Sequence, residues 1–159
     1  KKIVLGSNHF YKIRYRYPKY ENIEYLIIGG MVIMELTNNH LNEENIGTIV
    51  KKYDKVENKI ENKLIITNIL KGSSLAEYNI FSAPNILSEV NGIKVNTIKN
   101  LKESLLKMKN KDNKEYISFL TENNTYFLLE KEESKKEELF LSEELDYELS
   151  DFIKKLLGI

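Results

Sequence analysis

Apolar and polar side chains alternate strictly near the start of the chain. From residue 11 to residue 17, every odd position holds tyrosine or isoleucine and every even position holds lysine or arginine. A period of two residues is that of a strand with one buried face and one hydrated face. Residues 10–17 are therefore predicted to form a half-buried strand, which Pro18 ends.

Longer apolar segments predict further strands. Residues 25–36 predict a strand, a turn at Gly29-Gly30 and a second strand. Residues 64–70 predict a third strand, followed by turn chemistry at Gly72. The apolar run 25–34 is shorter than the roughly 20 residues that cross a bilayer, so it predicts paired strands rather than a membrane span.

Two dipeptides mark hairpin turns. Asn91-Gly92 lies between the apolar segments 86–90 and 93–95. This dipeptide favours a type I′ turn, because both central positions of that turn take a positive φ. A second hairpin is predicted around Asn123-Asn124.

Capping residues predict where helices begin. Thr97 predicts a helix that runs to about residue 108 and carries one apolar stripe. The stripe consists of Ile98, Leu101, Leu105 and Met108. Asn42, with two acids after it, predicts another helix start, and the S-x-x-E box of Ser134 and Glu137 predicts a third. A last amphipathic turn is predicted to begin at residue 150 or 151.

Composition excludes several chemistries. The chain has no cysteine, which excludes disulfides, thiolate nucleophiles and cysteine-based zinc sites. The 24 basic and 24 acidic side chains give a formal net charge of zero, so charge favours neither nucleic acid nor an anionic membrane as a partner. The chain starts at Lys1 without a signal-peptide pattern, and we expect it to be part of a longer protein.

The order of the elements predicts one α+β domain with a helical C-terminal extension. We assign residues 1–130 to the domain, with its core in 25–36 and 63–130, and residues 131–159 to the extension, packed on the same domain. The run E-K-E-E-S-K-K-E-E from Glu130 is interpreted as the hydrated face of a helix with i,i+4 ion pairs.

Four segments occur in a recognisable order along the chain. They are Y-L-I-I-G-G-M-V-I-M-E-L-T-N-N-H-L from residue 25, L-I-I-T-N-I-L-K-G-S-S-L-A-E-Y from residue 64, N-I-L-S-E-V-N-G-I-K-V from residue 85 and N-L-K-E-S-L from residue 100. This order resembles the circularly permuted PDZ domains of Deg/HtrA serine proteases. The first segment and the helix-rich tail, with D-Y-E-L-S-D-F near its end, are similar to the second, atypical PDZ domain of plant-type Deg proteases. The resemblance implies a PDZ-like, partly open β-barrel or sandwich capped by helices.

One position departs from the common PDZ domains of these proteases. Those domains carry Gly-Asp before the Asn-Gly strand, whereas this chain has Pro84-Asn85, which favours the atypical second domain. The protease motif G-N-S-G-G is absent from the chain. The resemblance therefore implies a non-catalytic domain, without a cofactor or a metal, of a Deg/HtrA-type serine endopeptidase. Its role would be oligomer assembly and regulation of proteolysis.

The resemblance also maps a peptide site onto this chain, because PDZ grooves bind peptides by β-augmentation. Ile28, Gly29, Gly30 and Met31 would form a loop whose amides bind a carboxylate. The segment from Met31 through Val32 to Ile33 would be the receiving edge, and Leu101 and Leu105 would wall the apolar pocket. Judged from the residues alone, Gly29-Gly30 is equally compatible with a structural turn that binds no ligand. The stripe that contains Leu101 and Leu105 is then part of the core rather than of a groove. The expected partner is a peptide segment or a neighbouring subunit of the same protease, in a homo-oligomer.

Specific residues bear on other possible functions. His9 and His40 are the only histidines, and neither lies in a hydrolase motif or has metal-ligand spacing. The basic and aromatic residues of 11–20 are compatible with an RNA-binding strand, although a half-buried strand gives the same letters. The remaining alternative is an independent PDZ adaptor that binds the C-termini of other proteins.

Overall fold

The computed structural model describes residues 11–159, and their strands form one antiparallel sheet that curls into a half-barrel and carries helices. The eight strands of this part of the chain are β1 (Tyr25–Ile28), β2 (Met31–Glu35), β3 (Leu64–Ile69), β4 (Asn85–Val90), β5 (Ile93–Lys94), β6 (Lys109–Lys111), β7 (Lys114–Thr121) and β8 (Tyr126–Glu130). The six helices are α1 (Asn38–Leu41), α2 (Thr48–Lys51), α3 (Ser74–Glu77), α4 (Ile98–Leu105), α5 (Lys131–Glu144) and α6 (Asp151–Leu157). Two 3₁₀ turns, Lys52–Asp54 and Val56–Asn58, follow α2.

The sheet order brings distant parts of the chain together. Neighbouring strands follow the order β1-β2-β3-β4-β7-β6, while β5 pairs with β4 and β8 pairs with β7. Every pair is antiparallel. β2 pairs with β1 on one side and with β3 on the other. This architecture confirms the predicted PDZ-like α+β fold.

The core consists of two hydrophobic clusters. Ile66 belongs to the larger cluster and Ile65 to the smaller one. Successive strand residues point to opposite faces of a sheet, so the two clusters lie on opposite faces of β3. The larger cluster includes Leu101 and Leu105 of α4, Phe119 of β7 and Ile153 of α6. The C-terminal helix thus packs into the same core as the sheet.

Local signals located several elements correctly. Asn91 and Gly92 have φ values of 55° and 77°, as the predicted hairpin between β4 and β5 requires. Thr97 caps α4 by accepting a hydrogen bond from the amide of Asn100. The strands on either side of Gly29-Gly30 and of Asn123-Asn124 are also present. α4 ends at Leu105, three residues before the predicted end, because the chain then enters β6, which the pattern did not predict.

The predicted strand over residues 10–17 is wrong for the residues that are described. Residues 11–17 belong to no strand, and Tyr15 and Tyr17 are exposed. Within residues 11–159 the segment has no partner strand, since its backbone meets only isolated groups such as the Lys59 carbonyl. Ile13 alone supplies a buried apolar side chain, and alternation of letters without a pairing partner does not make a strand.

Two predicted helix starts are also wrong. Asn42 follows the end of α1, and the N-cap of that helix is Thr37, whose capping box is completed by His40. Ser134 lies buried inside α5 rather than at its start, because β8 runs directly into the helix and Glu130 takes the N-cap position. The charged run after Glu130 is therefore not a fully hydrated face, and Glu138 within it is buried.

Candidate functional site

The Gly29-Gly30 turn joins β1 and β2 under tight geometric constraint. Both residues have positive φ, 56° and 72°, which is the two-residue hairpin conformation that glycine adopts without strain. A Cβ at Gly29 would lie 2.4 Å from Cδ1 of Leu129, and a Cβ at Gly30 would lie 2.3 Å from Cβ of Ser73. The turn therefore requires glycine twice over, for backbone conformation and for close packing.

A carboxylate sits against this turn. Oε1 of Glu138, on α5, accepts a hydrogen bond of 2.6 Å from the amide of Gly29. Its Oε2 accepts a hydrogen bond of 3.2 Å from the hydroxyl of Tyr147. Burial raises the pKa of Glu138, while the amides of Gly29 and Gly30 and the Tyr147 hydroxyl act in the opposite direction by favouring the charged form. Among residues 11–159 no lysine or arginine forms an ion pair with Glu138, so backbone amides and a phenol replace a cation.

The same helix covers a second turn beside the first. The carboxylate of Glu137 accepts a hydrogen bond from the amide of Ser74 at the start of α3. The buried side chain of Leu141 lies between the two turns, 3.6 Å from a Cβ built on Gly30 and 3.8 Å from one built on Gly72. One face of α5 thus places two carboxylates and one aliphatic side chain on two glycine-containing turns.

The predicted receiving edge is not free in this structure. β2 is hydrogen-bonded along both flanks, with Met31 opposite Ile28 in β1 and opposite Ile69 in β3. Ile28, Met31 and Ile33 are fully buried, and Val32 is partly buried. The prediction of an open edge at β2 is therefore wrong for this conformation, because the hairpin folds β1 onto the flank that a ligand would need.

The predicted pocket wall is covered as well. Leu101 and Leu105 are fully buried in the larger core cluster, together with Ile153 and Leu157 of α6. They face the protein's own core instead of an open groove. A peptide-binding role of Leu101 and Leu105, like that of the loop residues, stays a prediction.

Within residues 11–159 the edge of the sheet lies one strand further out, at β1. β1 pairs with β2 alone in the described part of the chain. The residues that flank a two-residue turn form a hydrogen-bonded pair, so Ile28 and Leu26 direct their peptide groups toward β2, and Tyr25 and Ile27 direct theirs outward. The amide of Gly29 continues this outward row. Beside the edge lies a cleft of about 270 Å³, lined by residues 22–25, Ile27 and residues 147–150.

Sequence reasoning found the turn but missed the groups that contact it. Glu138, Leu141 and Tyr147 were not among the candidate residues. The run around Glu138 is rich in acids, and no period distinguishes the acid that is buried from its exposed neighbours. The weak signal that existed was the apolar sequence L-F-L directly after it, which indicated that this face of the helix was not wholly hydrated.

His40, which was a candidate for catalysis and metal binding, has a structural role instead. Nδ1 of His40 lies 3.0 Å from the amide and 2.9 Å from Oγ1 of Thr37, and burial lowers the pKa of the imidazole. His9 lies outside the described residues. Within residues 11–159 no cluster of three histidine, aspartate or glutamate side chains has metal-binding geometry.

The two arginines considered for RNA binding are engaged within the chain. Arg14 and Arg16 both pair with Glu21, at 2.5 Å and 3.0 Å, and Arg16 also lies 3.6 Å from Glu35. These pairs lower the pKa of Glu21 to about 2. The cations beside the exposed tyrosines are thus offset by acids of the same surface.

Comparison with known proteins adds one match. A family model described as PDZ domain matches residues 16–144, which is most of the chain and ends with the last residue of α5. No curated protein matches the chain. None of the helices in residues 11–159 is long and apolar enough to cross a membrane.

Proposed function

The chain belongs to the PDZ domain family, whose members are protein-interaction modules that bind peptide segments, and from this premise we propose that it captures a peptide segment by β-augmentation as a non-catalytic domain of a Deg/HtrA-type serine endopeptidase. In this proposal the domain acts in oligomer assembly and in the regulation of proteolysis. The peptide comes from the same protease, either as an internal segment or from a neighbouring subunit.

The observation that carries the proposal is the carboxylate held at the Gly29 amide. Peptide capture by a PDZ domain needs backbone amides that bind a carboxylate next to a strand edge. The turn after β1 has an amide engaged in this way, since Glu138 is bound there without a cation from residues 11–159. The outward row of Tyr25, Ile27 and Gly29 supplies main-chain groups in line with that amide.

The protease context rests on the order of sequence segments. The Gly29-Gly30 entry, the G-S-S turn, the Asn91-Gly92 hairpin and the helical tail follow one another as in the atypical second PDZ domain of plant-type Deg proteases. The hydrogen bond between the Gly29 amide and Glu138 favours a regulatory domain over an independent adaptor, because a carboxylate of the chain itself occupies the position that a peptide's carboxylate would take.

Peptide capture is tested on the chain itself. The probe is a fluorescein-labelled hexapeptide of alternating valine and threonine that ends in leucine. Ile27→Pro removes one outward amide from β1 while leaving the β1–β2 hydrogen bonds in place, and edge strands tolerate proline. We expect this variant to keep its circular dichroism spectrum and to lose peptide binding in fluorescence anisotropy.

Tyr25→Ser is the matched control, since it removes an exposed side chain of the same edge but keeps the backbone donor. It should bind within about threefold of the unaltered chain, because main-chain hydrogen bonds carry most of the affinity in β-augmentation. Unchanged binding by Ile27→Pro would remove β1 from the proposal.

The protease context is tested separately. Sequencing the coding region upstream of Lys1 should reveal a serine protease domain with a Ser-His-Asp triad. The 159-residue chain alone should not degrade casein, because it has no hydrolase motif. Cleavage of casein by the chain, abolished by one serine substitution, would overturn the assignment of a non-catalytic role.

A further inference from the structure

We propose that α5 is an intramolecular ligand of the Gly29-Gly30 turn, with Glu138 in the position of a peptide's terminal carboxylate and Leu141 in that of its last side chain. This inference rests on the proposed function and specifies its regulation. The chain as described is in the closed state, and a peptide whose C-terminal residue is aliphatic competes with α5 for the turn.

The two groups on α5 reproduce the chemistry of one C-terminal residue. Residues three apart on a helix lie on the same face, so the carboxylate of Glu138 and the side chain of Leu141 point in the same direction. The carboxylate binds the Gly29 amide, and the leucine packs beside Gly30. A peptide that ends in leucine offers the same two groups, a carboxylate and a branched aliphatic side chain, from a single residue.

The closed state is held by contacts that a ligand can replace. Oε1 and Oε2 of Glu138 are bound by neutral donors, the Gly29 amide and the Tyr147 hydroxyl. A ligand carboxylate can accept the same hydrogen bonds. Glu137 repels the charged form of Glu138 rather than pairing with it. Because no cation within residues 11–159 pairs with Glu138, exchange of this carboxylate for another loses no ion pair with that part of the chain.

We call the contact of α5 with the Gly29-Gly30 turn, through Glu138 and Leu141, the latch. The other contacts of α5 keep the helix attached to the protein when the latch opens. Glu137 binds the Ser74 amide on α3, and Lys135 donates a hydrogen bond of 2.5 Å to the carbonyl of Gly158 after α6. These contacts lie on other elements than the β1–β2 hairpin. Opening requires α5 to move away from the turn, because Glu138 and Leu141 are both fully buried and the ligand takes both positions.

The first test places a small carboxylate in the vacated position. Glu138→Ala leaves the Gly29 amide without its acceptor, and acetate is then expected to raise the melting temperature of this variant in a saturable manner. Acetamide, and chloride at equal ionic strength, should have no such effect. Glu143→Ala is the matched control, because Glu143 is an exposed acid on the same helix. An equal acetate effect in both variants, or no effect in Glu138→Ala, overturns the latch.

The second test uses the leucine-terminated hexapeptide with a free carboxylate and with a C-terminal amide. The free acid is expected to bind to the Glu138→Ala variant about tenfold more tightly than to the unaltered chain. This gain corresponds to the removal of one competing charge-assisted hydrogen bond, the one between Glu138 and the Gly29 amide. The amide should not show this gain. If Glu138→Ala does not fold alone, the free acid or acetate should restore its folded circular dichroism spectrum, and failure of both to do so overturns the latch.

The outcomes separate the latch from the proposed function. Equal affinity of the unaltered chain and Glu138→Ala for the free acid overturns the latch and leaves peptide capture standing. Equal gain for acid and amide also overturns it, because the turn would then not be reading a carboxylate. Absence of binding in every variant overturns peptide capture, while the acetate experiment still decides whether the Gly29 turn is a carboxylate site.

Discussion

The amide nitrogen of Gly29 lies 2.6 Å from Oε1 of Glu138, a residue 109 positions later in the chain. This hydrogen bond joins the β1–β2 hairpin to the helix that follows the last strand. The Gly29 amide is the last of the outward-directed main-chain groups that begin on β1, and it donates to this carboxylate. The hydrogen bond couples α5 directly to the turn at which we propose that a peptide binds.

Close packing at the turn predicts unequal costs for two glycine substitutions. Gly30 and Gly47 have nearly the same φ, 72° and 74°, but a Cβ on Gly30 would overlap Ser73, whereas one on Gly47 would meet nothing within 4 Å. Gly47→Ala should lower the free energy of unfolding by about 1–3 kcal/mol, because its φ of 74° with ψ of 152° lies in a region that only glycine readily occupies. Gly30→Ala should cost about 1–3 kcal/mol more than that, because the added Cβ also overlaps Ser73. Urea denaturation measures both, and equal costs would mean that the turn relaxes freely.

The buried carboxylate predicts a pH dependence of stability. Burial raises the pKa of Glu138 above its ordinary value of 4.5, so the folded state binds this proton more tightly than the unfolded state. The stabilisation is present below the ordinary pKa and is lost as pH rises through the folded pKa. The free energy of unfolding of the unaltered chain, relative to that of Glu138→Gln, should therefore fall as pH rises from 4 to 8.

Denaturation series at several pH values measure this difference, and Glu143→Gln serves as the control on the same helix. The control should follow the pH profile of the unaltered chain. A relative stability that rises with pH would show that hydrogen bonding, rather than burial, dominates the titration of Glu138.

The phenol that completes the site predicts energetic coupling to the same carboxylate. Tyr147→Phe removes the hydrogen bond to Oε2 of Glu138 and should cost about 1–2 kcal/mol, because it leaves a buried charged acceptor short of a donor. In the Glu138→Gln background the cost should be smaller, since the acceptor is then neutral. A double-mutant cycle in urea measures the coupling, and additive costs would show that the two side chains do not act together.

The Asn91-Gly92 turn predicts a second pair of matched variants. Oδ1 of Asn91 accepts from the amide of Ser118, and its Nδ2 donates to the carbonyl of Ser104, both at 2.9 Å. Asn91→Ala breaks both hydrogen bonds inside the protein and should cost about 3 kcal/mol or more. Asn113→Ala, at an exposed turn with a similar positive φ, should cost about 1 kcal/mol. Thermal melts measure both losses of stability. Equal losses for Asn91→Ala and Asn113→Ala would mean that backbone conformation alone, rather than the side-chain hydrogen bonds of Asn91, causes them.

Several elements could be predicted because short-range chemistry decides them. The Asn91-Gly92 hairpin follows from two positive φ angles, and the start of α4 follows from the Thr97 cap. The turn at Gly29-Gly30 is fixed by glycine between two apolar segments. In each case the interacting groups lie within a few residues of one another, so the sequence carries the whole signal.

The segment 11–17 shows where that reasoning stops. Its alternation is that of a strand, but a strand exists only when another strand satisfies its peptide groups, and no strand of the described residues lies beside this segment. The same limit applies to Ser134, whose capping box is not used because β8 continues directly into α5.

The candidate site also has one part that local sequence decides and another that long-range contacts decide. The sequence by itself determined the PDZ-like order of elements and the glycine turn, since both depend on local patterns. Only the tertiary structure decided that β1 covers the flank of β2 and that Glu138 is the buried acid among many exposed ones. Those outcomes depend on which surfaces meet after the chain has folded, and a carboxylate is desolvated by neighbours far away in sequence rather than by its own helix.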